Sequence, residues 1–189
     1  IHQVTNGVNE QHFYPVDQEP GDPYIVVEGD GRNEAKDVHG YAWKVAAELQ
    51  RQYGYAIKGM AAVPPHINVK FDQFVLKPTE ADYRALYSGA EFMIKASRWE
   101  GRSLAPLEAM ACGTFTVRAL NYGDEDLVHE QNCLRCKYDY QLLLRLAKRA
   151  AEDAELRERL RASALAYAQE RLAWPPIIDR VEQLLGLNN

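Results

Sequence analysis

Cysteine is scarce in this chain. There are three in 189 residues, an odd number that fits a reducing compartment, and hence the cytoplasm, better than a disulfide framework. The spacing Cys133-Leu134-Arg135-Cys136 invites a redox or metal reading, but it falls in an expected strand. Residues three apart on a strand point to opposite faces, which favours one buried and one peripheral thiol. Histidine is sparse too: five scattered copies with no HExxH give no paired ligands, so no metal is expected. No apolar run approaches the ~20 residues that would span a bilayer, and no signal-peptide pattern opens the chain. A formal net charge of −5 leaves no basic excess to bind nucleic acid through its phosphates. Repeats and low-complexity segments are also missing. The first residues, Ile1-His2-Gln3, include no initiator methionine and suggest a piece of a longer protein.

What is present is ordinary for a globular domain: 47% hydrophobic and 26% charged residues, in a length able to bury one core. Tyr24–Glu28 reads as a strand, followed by a turn at Gly29-Asp30-Gly31-Arg32. The dinucleotide fingerprint is incomplete there, because Glu34 stands where its third glycine belongs, so a nicotinamide enzyme is not expected. From Asp37 to Tyr53 the stripe Ala42, Val45, Ala46, Leu49 and Tyr53 predicts a helix closed by Gly54. Strands are expected over Tyr55–Met60 and from Val69-Lys70-Phe71, with Phe74-Val75-Leu76 leading on to a helix that Thr79 and Asp82 cap. The last third reads as helices, with stripes at Leu142, Leu143, Leu146, Ala147, then Leu156, Leu160, Ala164, Tyr167, and finally Ile177, Ile178, Val181, Leu184, Leu185. Strands alternating with helices predict a doubly wound parallel sheet of Rossmann-like α/β class, with C-terminal helices.

The chain is organised around Ser97–Thr114, SRWEGRSLAPLEAMACGT. An apolar run, Phe92–Ala96, precedes it and a β-branched one, Thr114–Val117, follows it, so both read as strands. Between them Gly101 permits a tight turn and Ser103 suits an N-cap. Leu104, Leu107 and Ala111 mark a helix face, and Gly113 fits a left-handed terminus. A helix N-terminus attracts phosphate through its free N–H groups and partial positive charge. Glu100 before the helix and Glu108 on it could accept hydrogen bonds from hydroxyls at either end of a bound diphosphate.

This stretch resembles the E-x7-E signature of the family 4 (group 1) retaining glycosyltransferases of GT-B fold, usually EGFGLxxLEAMAxGxPV. Glu100, Gly101, Leu104, Leu107, Glu108, Ala109, Met110, Ala111 and Gly113 match, while Arg102 replaces Phe, Ser103 replaces Gly, and Phe115-Thr116 stands for Pro-Val. Outside it, Asn6-Gly7-Val8-Asn9 with Phe13 and Pro15 is similar to the family's opening of this domain, and Arg171-Leu172-Ala173-Trp174 to the lead-in to its final helix. Gly31-Arg32 resembles the start of the family's diphosphate loop, although Lys36 comes one residue early, Asp37 stands where glycine is usual, and Asp30 adds a second negative charge.

The resemblance implies one nucleotide-sugar-binding Rossmann-like domain over residues 1–189, half of a two-domain enzyme whose own N-terminal domain holds the acceptor. The donor would be a nucleotide-diphosphate sugar, with no cofactor or metal. Glu100 would meet the sugar hydroxyls near the reacting carbon and Glu108 the ribose. Backbone amides from Arg102 through Ser103 to Leu104, with Lys36 and Arg32, would stabilise the departing diphosphate, and the segment around Val75 would meet the base. A peripheral membrane placement would come through the missing domain. Two alternatives stand beside this reading: a non-catalytic nucleotide-sugar-binding module, to which Asp30, Asp37 and Ser103 point, and a sugar-nucleotide epimerase.

Overall fold

Five-residue apolar strands that must be covered on both faces, joined by amphipathic helices, leave few arrangements open. The computed structural model describes residues 7–19, 21–29, 36–62 and 69–187. Its six strands are β1 (Tyr24–Glu28), β2 (Ala56–Ala61), β3 (Gln73–Leu76), β4 (Met93–Ser97), β5 (Thr116–Leu120) and β6 (Cys133–Cys136). They form one sheet in the order β3-β2-β1-β4-β5-β6, and every pairing is parallel. The α/β doubly wound expectation is met. The register sets Val26 beside Met93 and Ile94 beside Val117, which joins the apolar residues of the central strands, and it sets Lys95 beside Arg118.

Among the described residues six α-helices cover the sheet: α1 (Tyr41–Tyr53), α2 (Glu80–Ser88), α3 (Leu104–Ala111), α4 (Tyr140–Glu152), α5 (Ala154–Tyr167) and α6 (Trp174–Leu185). Helices α1 and α4 pack together on one side, while α3 meets α2 and α5 on the other. Trp43 of α1 is fully buried and meets Phe71 edge-on at 5.3 Å. The capping box at Thr79 and Asp82 is formed as expected, with each side chain accepting the other's backbone N–H.

Several boundaries differ from the sequence reading, each for a local reason. Helix α1 starts at Tyr41, because the Asp37 carboxylate accepts the Tyr41 and Ala42 N–H groups at 2.8 Å each and so caps the helix from outside it. The strand expected from Val69 begins only at Gln73. Asp72 stands before it, its carboxylate accepting the Ile57 N–H at 2.8 Å and its own N–H bonded to the Ile57 carbonyl, which delays the ladder. On α3, Leu104 is exposed while Pro106, Leu107, Ala109 and Met110 are buried. Neighbours on several sides, more than a single stripe, decide that pattern. A π-helical turn, Ala168–Leu172, joins α5 to α6. On α6 only Ile177 of the expected stripe is buried, and Ile178, Leu184 and Leu185 stay exposed. The thiols divide as expected, Cys133 buried and Cys136 half-buried. No helix among the described residues is long and apolar enough to cross a membrane.

Candidate functional site

Connections from β1 run outward through β2 to β3, and those from β4 run the other way through β5 to β6. The crevice between β1 and β4, at their carboxyl ends, is the switch point at which open α/β sheets bind ligands. Glu28 is the last residue of β1, Ser97 is the last of β4 with Lys95 two positions before it, and the loop from Arg98 to Ser103 leads into the N-terminus of α3. A cavity of about 340 Å³ lies here, lined by Glu28, Tyr83, Lys95, Glu100, Arg102, Ser103, Leu104, Ala105 and Glu108. Five of the residues expected at the site, Glu100, Arg102, Ser103, Leu104 and Glu108, therefore line one pocket.

Glu100 is held by cations on both oxygens. Lys36 donates to Oε1, and Oε2 accepts from Arg118 at 2.7 Å and from the Ser97 hydroxyl at 3.0 Å. Burial alone would raise its pKa, but Lys95, Lys36 and Arg118 outweigh that and hold the carboxyl down at about 2. Glu108 lies on α3 in the opposite condition. Burial first, and then the negative charge of Glu28, push it up to about 7. The two carboxylates are thus shifted in opposite directions, Glu100 towards the ionised form and Glu108 towards the protonated one.

Ser103 occupies the N-cap position, but its side chain makes no cap. Its N–H donates instead to Asp124 Oδ1 at 2.7 Å, so this one of the expected amide donors is already engaged by an internal carboxylate. Arg102 pairs through Nε with Asp126 at 3.1 Å, and its Nη1 and Nη2 have no hydrogen-bond partner among the described residues. Lys36 is committed to Glu100, and Lys95 to Glu28. Val75 sits on the edge strand β3, half-buried and beside Met60, away from the pocket lining. Arg32, the loop aspartate Asp30, Asn6 and the Pro64-Pro65 loop fall outside the described residues. Asp37 faces α1 and accepts from Tyr138 Oη at 2.9 Å, so it does not project into the phosphate cradle as the sequence suggested.

Sequence reasoning passed over Glu28, Lys95 and Tyr83 in the lining and Arg118 beneath it; it placed Asn121–Asp124 at a strand's carboxyl end, where such sheets bind ligands, without assigning Asp124 a partner. A signal was available for two of them. Lys95 interrupts Phe92–Ala96 and Arg118 follows Thr114–Val117, and a charge inside an interior strand is rarely buried unless paired. Arg118 has no exposed side-chain surface and pairs with both Glu100 and Asp124. Burial pushes the Asp124 carboxyl up, and the Arg118 guanidinium beside it works against that shift. Among the described residues no group of three or more His, Cys, Asp or Glu side chains is placed to hold a metal ion.

Comparison with known proteins gives a consistent result. The family model for glycosyl transferases group 1 matches residues 66–166. No curated protein matches the sequence. Among solved structures, sucrose-phosphate synthase from Thermosynechococcus elongatus superposes with a TM-score of 0.76 at 22% identity, over 97% of this chain and 51% of that one. HepE from Anabaena, solved in complex with UDP-glucose, gives 0.75 at 16% identity over 98% of this chain and 57% of its own. The C-terminal domain of LpcC, a glycosyl transferase group 1 family protein from Francisella tularensis, gives 0.67 at 17% identity and is covered over 100% of its length. The chain thus spans about half the length of the first and second of these relatives and the whole of an isolated domain. At these identities the likeness shows the shared fold.

Proposed function

The chain belongs to the glycosyl transferases group 1, and from that premise we propose that its switch-point pocket binds a nucleotide-diphosphate sugar for retaining transfer of a hexosyl-type group. The observation that supports this most is the convergence of Glu100, Glu108 and the N-terminus of α3 on one cavity of about 340 Å³. That cavity has carboxylate acceptors on both sides of a helix end suited to phosphate. In this reading Glu108 accepts hydrogen bonds from the ribose and Glu100 from the sugar hydroxyls near the reacting carbon.

Glu100 suits a fixed acceptor and electrostatic anchor better than an acid or a nucleophile. With a pKa of about 2 it carries no proton to give near neutrality, and both its oxygens are already bonded. The pair is therefore not a hydrolase acid and base. The leaving diphosphate would be met by backbone N–H groups at the start of α3, by Nη1 and Nη2 of Arg102, and by Lys36 and Arg32, with no metal required. The acceptor would be held by the protein's N-terminal domain, outside these 189 residues, so this chain alone would bind donor but transfer sugar poorly. Calorimetric titration with UDP, GDP and ADP and their hexose conjugates tests this. Selective binding of one nucleotide, lost in Glu108→Ala, is the expected result, and no binding at millimolar concentration counts against it.

A second reading, a binding module without turnover, is favoured by one feature. Lys36, Lys95 and Arg118 are all paired with internal carboxylates. Donor binding that never leads to transfer, even with the N-terminal domain supplied, would decide for it.

A further inference from the structure

We infer that Arg118 and Asp124 form an internal strut that positions Glu100 and the first turn of α3, shaping the donor pocket before any anion enters it. The inference rests on the donor-site reading above for what Glu100 touches. Neither residue lines the cavity, so both act through others.

The guanidinium fork is used in two directions. Nη2 donates to Glu100 Oε2 at 2.7 Å, and Nη1 pairs with Asp124. Asp124 turns its Oδ1 to the Ser103 N–H at 2.7 Å. A single guanidinium thereby ties the carboxylate that precedes α3 to the N–H group at its N-cap. Arginine is suited to this because its donors are planar and fixed, whereas an ammonium is a point charge. A helix end needs an acceptor for its free N–H groups, from a cap, water or a ligand. The Ser103 side chain supplies none, and Asp124 does.

The backbone bends to bring this about. Gly123 has φ +97 and Asp124 φ +54, and a Cβ on Gly123 would lie 2.0 Å from the Glu100 carbonyl oxygen and 2.4 Å from that of Gly101. The loop after β5 is thus pressed against the loop after β4, and the Asp124 N–H donates to the Gly101 carbonyl at 3.1 Å. On the other side Arg135 Nη1 donates to the Asp124 carbonyl, also at 3.1 Å. Asp124 could instead be a plug that an incoming diphosphate displaces. Its side chain and that of Arg118 are fully shielded from solvent, and its departure would leave buried Arg118 Nη1 and the Ser103 N–H without their acceptor, which argues against displacement.

Two variants separate these roles. Arg118→Lys keeps the charge but loses the fork, and Asp124→Gly removes the carboxylate while suiting the left-handed backbone. Each is titrated with UDP, GDP, ADP and their hexose conjugates, with melting temperature and amide exchange at Ser103 measured in parallel. In Arg118→Lys the affinity for the sugar conjugate should fall about tenfold while that for the bare nucleotide stays within about twofold, since the loosened contact is to Glu100. In Asp124→Gly both affinities should fall about tenfold and Ser103 exchange should quicken about tenfold as the first turn of α3 loosens. Tighter nucleotide binding by Asp124→Gly would make Asp124 a plug and overturn the strut. Equal losses for conjugate and nucleotide in Arg118→Lys, or none, would overturn it as well. If the parent chain binds no nucleotide, the donor-site reading fails, and Ser103 exchange in Asp124→Gly still decides the strut. Unchanged exchange overturns it.

Discussion

Glu108 and Glu100 share a pocket but sit at opposite ends of the carboxylate range, and this has consequences for stability. Glu108 is raised to about 7 in the folded chain, above the ~4.5 of an unfolded glutamate. The folded state therefore binds more protons across that window, and stability falls as pH rises through it. Glu108→Gln should raise the melting temperature at pH 8 and change it little at pH 4. A variant no more stable than the parent at pH 8 would show that the carboxylate is not strained by its surroundings. Glu100, lowered to about 2, carries the opposite sign: its contribution is present above the unfolded value and lost as pH falls towards 2. Gly123 is the other residue-scale lever. With φ +97 and a Cβ that would meet carbonyl oxygens at 2.0 and 2.4 Å, Gly123→Ala should cost about 3 kcal/mol or more in urea unfolding. An unchanged midpoint would mean the loop can retreat from Glu100.

At the scale of elements, the helices differ in how they are held. Helix α2 depends on its own start, where Thr79 and Asp82 cap each other reciprocally. Thr79→Ala should cost about 1 kcal/mol, measured by chemical denaturation, and no loss would place the helix's stability entirely in its packing. Helix α6 is the contrary case. Its residues alternate in the manner of a buried face, yet Leu185 is 66% exposed, so Leu185→Gln should change stability by less than about 0.5 kcal/mol. Periodicity correctly announced a helix there and misjudged its burial, because what covers a stripe is not written in the stripe. Helix α3 shows the same miss at one position. Leu104 was legible as a face residue and instead borders the cavity, since α2, α5 and the sheet enclose the other sides.

Over the whole molecule, the strand order places every loop of the site at one end of the sheet, so a ligand bound there bridges both halves of the winding. A nucleotide bound only by the folded chain, at a concentration a hundred times its dissociation constant, should stabilise the fold by about 2.7 kcal/mol. Differential scanning with UDP, GDP and ADP reads this as a rise in melting temperature for one of them, and no rise for any would tell against the donor pocket.

Read along the chain alone, the layered α/β plan, the strand–helix–strand unit around Ser97–Thr114 and the pairing of Glu100 with Glu108 on one motif were all legible. Those features are local: apolar runs, caps and the spacing of one motif. The tertiary structure decided what surrounds them. Lys36 and Arg118 lie 64 and 18 positions from Glu100, yet both bond it. Asp124 reaches Ser103 across 21 positions, and Asp37 turns from the phosphate loop to cap α1. A residue's type and spacing establish what it can bond. Which partner it meets, and whether water is excluded when it does, depends on the closing of parallel strands far apart in the chain.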